Sequence, residues 1–189
     1  SDTTAFFLTV TTGQNGKRMV LRSAPEVALP AATSYSSEKL LAIGEQYSLG
    51  VGYALGFRLS KFDQGQGWMS GIITKGSTRQ LTLNELGVMG AGTAKLEIGL
   101  VGRSFNPHTT RILAGPTPTN QRLVGTISSV QFESPQVTLD LAMTDFNSDG
   151  SIVIGVNSVG PESTDNISVA YAKITYRNNV SSGDFASKL

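Results

Sequence analysis

The chain has 189 residues, 15 Lys and Arg against 14 Asp and Glu, and a pI near 7.9, enough length for one domain with a substantial core spanning residues 1–189. Charged residues make up only 15%, against roughly 25% in an average soluble protein, and no Lys/Arg run forms the footprint that phosphate backbones require. The absence of cysteine excludes disulfides, thiolate metal sites and thiol nucleophiles, while leaving the compartment open. The longest uncharged apolar window, Tyr47–Phe57, is interrupted by Gly50, Gly52 and Gly56 and is far shorter than the roughly 20 residues that span a bilayer. No basic segment followed by an apolar core opens the chain, so no signal peptide is expected in it. Ser1 is consistent with removal of an initiator Met, with a designed start, or with cleavage from a precursor.

In chain order, Ala5–Thr12 and Lys17–Arg22 read as extended runs around Asn15-Gly16, a strong hairpin signal. Pro25 and Pro30 make Ser23–Ser37 an extended connection. Ser37 is placed to cap a short helical turn through Glu38–Ala42, ending at Gly44. Leu49–Ser60 alternates large apolar residues (Leu49, Val51, Tyr53, Leu55, Phe57, Leu59) with mostly small ones, which predicts one strand. Its Gly/Ala face either admits a second backbone or subunit, or gives the strand curvature. Asp63–Gly67 reads as a loop, Trp68–Lys75 as a short strand, and Thr82–Glu85 as a capping box. Thr93–Arg103 is a half-buried strand with Ala94, Leu96, Ile98 and Leu100 inward. Asn106-Pro107 and Gly115–Pro118 bracket the brief run Thr110–Ala114, predicting long loops.

Arg122–Phe132 follows as a long strand that Pro135 ends. Gln136–Met143, Ser151–Val159 and Asn166–Arg177 are three successive strands, separated by the Asx-rich turn Asp145–Gly150 and the break at Gly160-Pro161, and antiparallel pairing is expected among them. About nine or ten short strands and at most two single-turn helices make an all-β, antiparallel β-sandwich. Long proline-bearing connections favour Greek-key or jelly-roll wiring over an up-and-down barrel. The expected core is Val137, Leu139, Leu141, Ile152, Ile154, Val169 and Tyr171 with Leu49, Val51, Tyr53, Leu55 and Phe57.

Chemistry is sparse. The single histidine, His108, falls in an expected loop, where bonding to backbone or water outweighs a general-base role. No G-x-S-x-G, H-E-x-x-H or Walker-type segment occurs. Asp145, Asn147 and Asp149 before Gly150 match the start of a calcium loop, but Val156 stands where the bidentate Glu belongs, so no metal or cofactor is expected and an Asx turn is the better reading. Asn166-Ile167-Ser168 and Asn179-Val180-Ser181 fit the glycosylation pattern. Trp68, beside Gln64 and Gln66, is either a core residue or an aromatic platform for a sugar, with core the default for a lone Trp.

A cysteine-free, Gly/Ser/Thr-rich sandwich without a basic N-terminal arm or enzyme motif resembles a capsid subunit of picorna-like icosahedral RNA viruses. Among these it resembles the small coat proteins of plant secovirids of the cheravirus type. The resemblance implies a jelly roll cut from a polyprotein and assembled with sister coat proteins into a virion shell around an RNA genome that this subunit contacts only weakly. It places no functional residue of that family in this chain. In such a shell Ser23–Ser37, Asn106–Asn120 and the tail Asn178–Leu189 would lie against other subunits. The competing reading is a secreted carbohydrate-binding, lectin-like sandwich using Trp68 and the Asp145–Asp149 loop. Neither reading is enzymatic, and neither involves a membrane.

Overall fold

A computed structural model describes residues 34–48, 67–84, 86 and 92–179, together with the backbone of 51–53 and 57–59. The expected N-terminal hairpin, the 63–66 loop and the tail beyond residue 179 lie outside the described residues.

Two four-stranded antiparallel sheets form the sandwich. The strands are β1 (Ser34–Ala42), β6 (Thr78–Leu83), β7 (Ala94–Gly102), β8 (Pro107–Thr117), β9 (Asn120–Val130), β10 (Gln136–Leu141), β11 (Ile152–Ser158) and β12 (Ile167–Asn179); the short pairs β2 (Gln46–Tyr47) with β5 (Trp68–Met69) and β3 (Val51–Tyr53) with β4 (Phe57–Leu59) lie between β1 and β6 in sequence. One sheet runs β1-β12-β7-β10 and the other β6-β11-β8-β9. Among the eight described sandwich strands, the first, β1, pairs with the last, β12, and the second, β6, with the next-to-last, β11, as when one long hairpin is rolled up; this is the jelly-roll arrangement. The three strands expected to pair in succession therefore do not: β10 belongs to one sheet and β11 to the other.

The inner faces carry the core. Leu96, Ile98 and Leu100 of β7, Ile112 and Ala114 of β8, Ile152, Ile154 and Val156 of β11, and Val169, Ala172, Ile174 and Tyr176 of β12 are all buried. Of the expected core residues, Leu141, Ile152, Ile154 and Val169 are fully buried, and Val137 and Leu139 pack at its margin. The side chains of Leu49, Val51, Tyr53, Leu55 and Phe57 are outside the described residues.

Several local readings are overturned by pairing between distant segments. The capped turn expected at Glu38–Ala42 is instead strand β1, matched residue by residue to β12 from Ser34↔Asn179 to Ala42↔Tyr171. An isolated single turn pays the cost of helix nucleation for very few hydrogen bonds, whereas this ladder pairs nine residues of an edge strand with β12. Thr82, expected as an N-cap, lies in β6 opposite Val153, and its neighbours Leu81 and Leu83 are buried. The long loops expected around Thr110–Ala114 are a strand: Pro107 starts β8, and Pro116 sits where the β8–β9 register slips between Ala114 and Thr117. Both are positions where a missing N–H is tolerated. Leu49–Ser60 contains two short strands paired as Val51↔Leu59 and Tyr53↔Phe57. A period of two is common to one long strand and to a strand that doubles back, so alternation could not separate them.

Candidate functional site

The outward face of the β1-β12-β7-β10 sheet carries polar rows set by register. Across the four strands they read Ala42-Tyr171-Gly99-Gln136, then Leu40-Lys173-Glu97-Thr138, then Glu38-Thr175-Lys95-Asp140. Tyr171 reaches this face because of a β-bulge: Val169 pairs with Leu100 and Tyr171 with Gly99, leaving Ala170 as the extra residue. Strict alternation from buried Val169 would have sent Tyr171 into the core, as the sequence reading had it; the bulge re-aims it outward and turns Ala172 in. Its ring lies across Gly99, where an added Cβ would stand 2.5 Å from Cε1 of Tyr171, so only glycine permits this placement.

The Tyr171 hydroxyl donates to Glu97 Oε1 at 2.7 Å, and Lys173 Nζ donates to Glu97 Oε2 at 2.7 Å. The hydrogen bonds from Lys173 and then Tyr171 hold the Glu97 carboxyl below its ordinary range, and the bond to Glu97 holds the Lys173 ammonium above its own. Burial, followed by the bond to Glu97, pushes the Tyr171 phenol up to about 12. At neutral pH the floor is thus a carboxylate, an ammonium and a neutral phenol locked together.

Two walls rise beside this floor. One holds Trp68, whose ring meets Tyr47 edge-on at 5.3 Å with the planes 65° apart. Trp68 is 48% exposed and Tyr47 55%, so the core expectation for Trp68 fails: among the described residues its strand β5 pairs only with β2, and the indole stays outside the sandwich. The other wall is the turn at 130–134. There Phe132 packs with Met69, Val101 and Ala170 and meets Phe105 edge-on at 4.9 Å. Gln131 adopts a positive φ of 53°, and Glu133 accepts the Val130 N–H at 2.8 Å. Floor and walls enclose a groove of about 1090 Å³.

His108 is not in a loop. It lies in β8 and is 1% exposed, with Nδ1 2.5 Å from Asp165 Oδ1 and Nε2 2.7 Å from the Gln131 carbonyl. Ser158 Oγ and the Gly160 N–H both donate to Asp165 Oδ2. A serine, a histidine and an aspartate meet here, but the serine bonds the carboxylate instead of the ring. The imidazole has no hydroxyl to deprotonate, and both partners of the ion pair have fully buried side chains.

The calcium candidates fall into two networks, Asp145 in one and Asn147 with Asp149, joined through Ser151, in the other. Asp145 takes both arms of Arg122 at 2.7 Å each and the Ala142 N–H at 2.8 Å. Asn147 donates to the Pro116 carbonyl and to Ser151 Oγ, while Asp149 accepts the Ser151 N–H and hydroxyl. Among the described residues no group of three or more His, Asp or Glu side chains converges as metal ligands. Millimolar EDTA should therefore leave the thermal midpoint unchanged; a drop reversed by added Ca²⁺ would show that this loop reorganises around the ion. Of the two glycosylation-pattern tripeptides, the first has its Ser168 buried at the start of β12, bonded by Arg103.

Glu97, Lys173, Gln131 and Glu133 were not singled out from the sequence. Glu97 and Lys173 are polar residues on the solvent side of strands, and Gln131 and Glu133 lie in a turn, so none differed in the sequence from ordinary surface residues.

No protein-family model and no curated protein sequence matches this chain. Among solved structures, it is similar to dimeric latent PorU from Porphyromonas gingivalis at 10% identity and a TM-score of 0.55, over 78% of this chain and 13% of that one. It is also similar to the CBM36-1 domain of a multidomain xylanase from the hindgut metagenome of Trinervitermes trinervoides (14% identity, TM-score 0.43, 73% of this chain and 96% of that one). The Tobacco streak virus coat protein gives 12% identity and a TM-score of 0.37, over 80% and 94% of the two chains. At these identities the likeness is one of fold, a jelly-roll β-sandwich, and the chain corresponds to about an eighth of PorU's length.

Proposed function

We propose that this chain is a non-catalytic binding module whose sheet-face groove takes an extended, neutral polar ligand of the oligosaccharide class. The observation that carries this reading is the flat Tyr171 ring over Gly99, bordered by the Glu97–Lys173 pair, with the exposed Trp68 lining the same groove. A pyranose presents C–H faces that stack on aromatic rings and hydroxyls that exchange hydrogen bonds with carboxylate, ammonium and amide groups. Apolar surface with a few fixed polar groups is the usual make-up of a ligand pocket. A secreted setting accords with this role, and the three candidate calcium ligands play no part in it.

The test is affinity electrophoresis and calorimetry against a panel of soluble neutral polysaccharides. Trp68→Ala and Tyr171→Ala should each weaken binding at least tenfold, or about 1.4 kcal/mol. Failure of the whole panel to bind, or unchanged affinity in both variants, would remove the reading.

Binding should be insensitive to pH across a wide window. Glu97 titrates below its unfolded value, so its contribution is complete above pH ~4.3 and is lost as pH falls through its lower folded value. Tyr171 titrates above its unfolded value, so its contribution is complete below pH ~10 and is lost as pH climbs toward about 12. Affinity measured from pH 5 to 9 should stay flat.

The second reading, a shell subunit that assembles with sister coat proteins around RNA in a virion, is favoured by strand β9. It is an edge strand of 11 residues whose only charge, Arg122, is engaged by Asp145, and it exposes Leu123 and Val130. Such an edge lacks the charges that normally discourage strand-to-strand association. The loop argument for this reading is weaker, because 107–117 is a strand inside a sheet. Light scattering on native material separates the two: a monomer near 20 kDa excludes the shell, and a large closed particle excludes the free module.

A further inference from the structure

The buried His108–Asp165 cluster touches the groove lining through one atom, the carbonyl oxygen of Gln131. We infer that His108 is the positioning residue for the groove: its buried ring holds the Gln131 carbonyl from behind and thereby fixes the wall at 130–134. The inference rests on the groove being the working site.

The chemistry of the ring's partners supports this. Asp165 Oδ2 accepts the Ser158 hydroxyl and the Gly160 N–H, and its Oδ1 lies 2.5 Å from His108 Nδ1 with one proton between them. The Gln131 carbonyl can only accept. His108 Nε2 therefore donates to it, and the ring is held by Asp165 on one side and tied to the groove wall on the other. The slot for that tie is cut by Gly102 of β7, where an added Cβ would stand 1.8 Å from the Gln131 oxygen and 2.8 Å from His108 Nε2. At the far end of the tie, Gln131 is the one non-glycine residue with positive φ among those described. That conformation carries a steric cost and persists only where surrounding contacts enforce it. Three further bonds hang on the same turn: Gln131 N–H to Asn106 O, Glu133 N–H to Val130 O, and Gly102 N–H to Glu133 O. Through them the buried pair reaches Phe132 and Glu133, which line the groove.

Two substitutions divide the ring's functions. The side-chain amide nitrogen of Gln reaches about as far as Nε2, and that of Asn about as far as Nδ1. His108→Gln therefore keeps a donor toward the Gln131 carbonyl, and His108→Asn keeps one toward Asp165 and loses the wall. Amide hydrogen exchange at Gln131, Glu133 and Gly102 is expected to be at least tenfold faster in His108→Asn than in His108→Gln, and adding Gln131→Gly to His108→Asn should bring back most of the protection. Equal acceleration in both variants would reduce His108 to a buried polar contact with no bearing on the wall and overturn the inference. Should neither variant fold, the wild-type chain still decides: a slowly exchanging Nε2 proton coupled to the Gln131 carbonyl carbon is required, and its absence rejects the tie. Exchange needs no ligand, so a groove that binds no polysaccharide and a wall indifferent to His108 are distinguishable failures.

Discussion

Asp165→Ala should lower the free energy of unfolding by about 3–5 kcal/mol, the cost typical of removing one member of a buried ion pair. Its side chain is fully buried and serves three partners drawn from β8, β11 and the segment after β11. Removing it strands His108 Nδ1 and the Ser158 and Gly160 donors in a place water does not reach, so the loss exceeds that of an ordinary hydrogen bond, about 1 kcal/mol. Asp165→Asn should cost less, because the amide keeps the shape, retains an acceptor and can donate to a neutral imidazole. Urea unfolding of the two variants checks this: a loss below about 1 kcal/mol for Asp165→Ala would mean that solvent or a rearranged loop satisfies the cluster.

The second large effect is expected at Leu96→Ala, about 2–5 kcal/mol from lost transfer energy plus a residual cavity. Leu96 is 0% exposed in β7, an interior strand of its sheet, opposite Leu139 on one side and Ile174 on the other, so the paired strands limit collapse into the space. Leu139→Ala should cost less, about 1–2 kcal/mol on the same scale, because Leu139 lies on the edge strand β10 and is only half-buried. It lies over Gly125, where an added Cβ would meet its Cδ2 at 2.7 Å. Equal costs, or the reverse order, would contradict the assignment of β7 to the interior of the sheet.

Strands β7 and β10 were legible because hydrophobic alternation is a local record of half-burial, while β9, of uneven pattern, β11, buried on both faces, and β12 were legible as extended runs between turn signals. Strands β1, β6 and β8 were not, since Glu38–Ala42 and Thr82–Glu85 carry real helix-start chemistry and Pro107 and Pro116 are real strand breakers. In each case pairing with a distant strand outweighed a preference worth a fraction of a kcal/mol per residue. The site was legible in one fragment, Trp68 as a possible aromatic platform, and there the core default was the wrong branch. Tyr171 was placed in the core because a bulge cannot be seen in an alternating pattern until the partner strand is known.

The sequence by itself determined the class of this protein: an all-β sandwich of short strands with a sparsely charged surface, no thiol chemistry and a single histidine. Those properties follow from composition and from a period of two, which any one segment carries without help from the others. Only the tertiary structure decided what faces what. Ser34 pairs with Asn179, His108 with Asp165, and the groove joins Trp68, Gln131 and Tyr171 from three parts of the chain. Such contacts depend on the register of strands far apart in sequence, and a one-residue change in register, as at the Ala170 bulge, exchanges core for surface. The groove exists because that exchange happens where β12 crosses Gly99, a coincidence of two strands that neither one encodes alone.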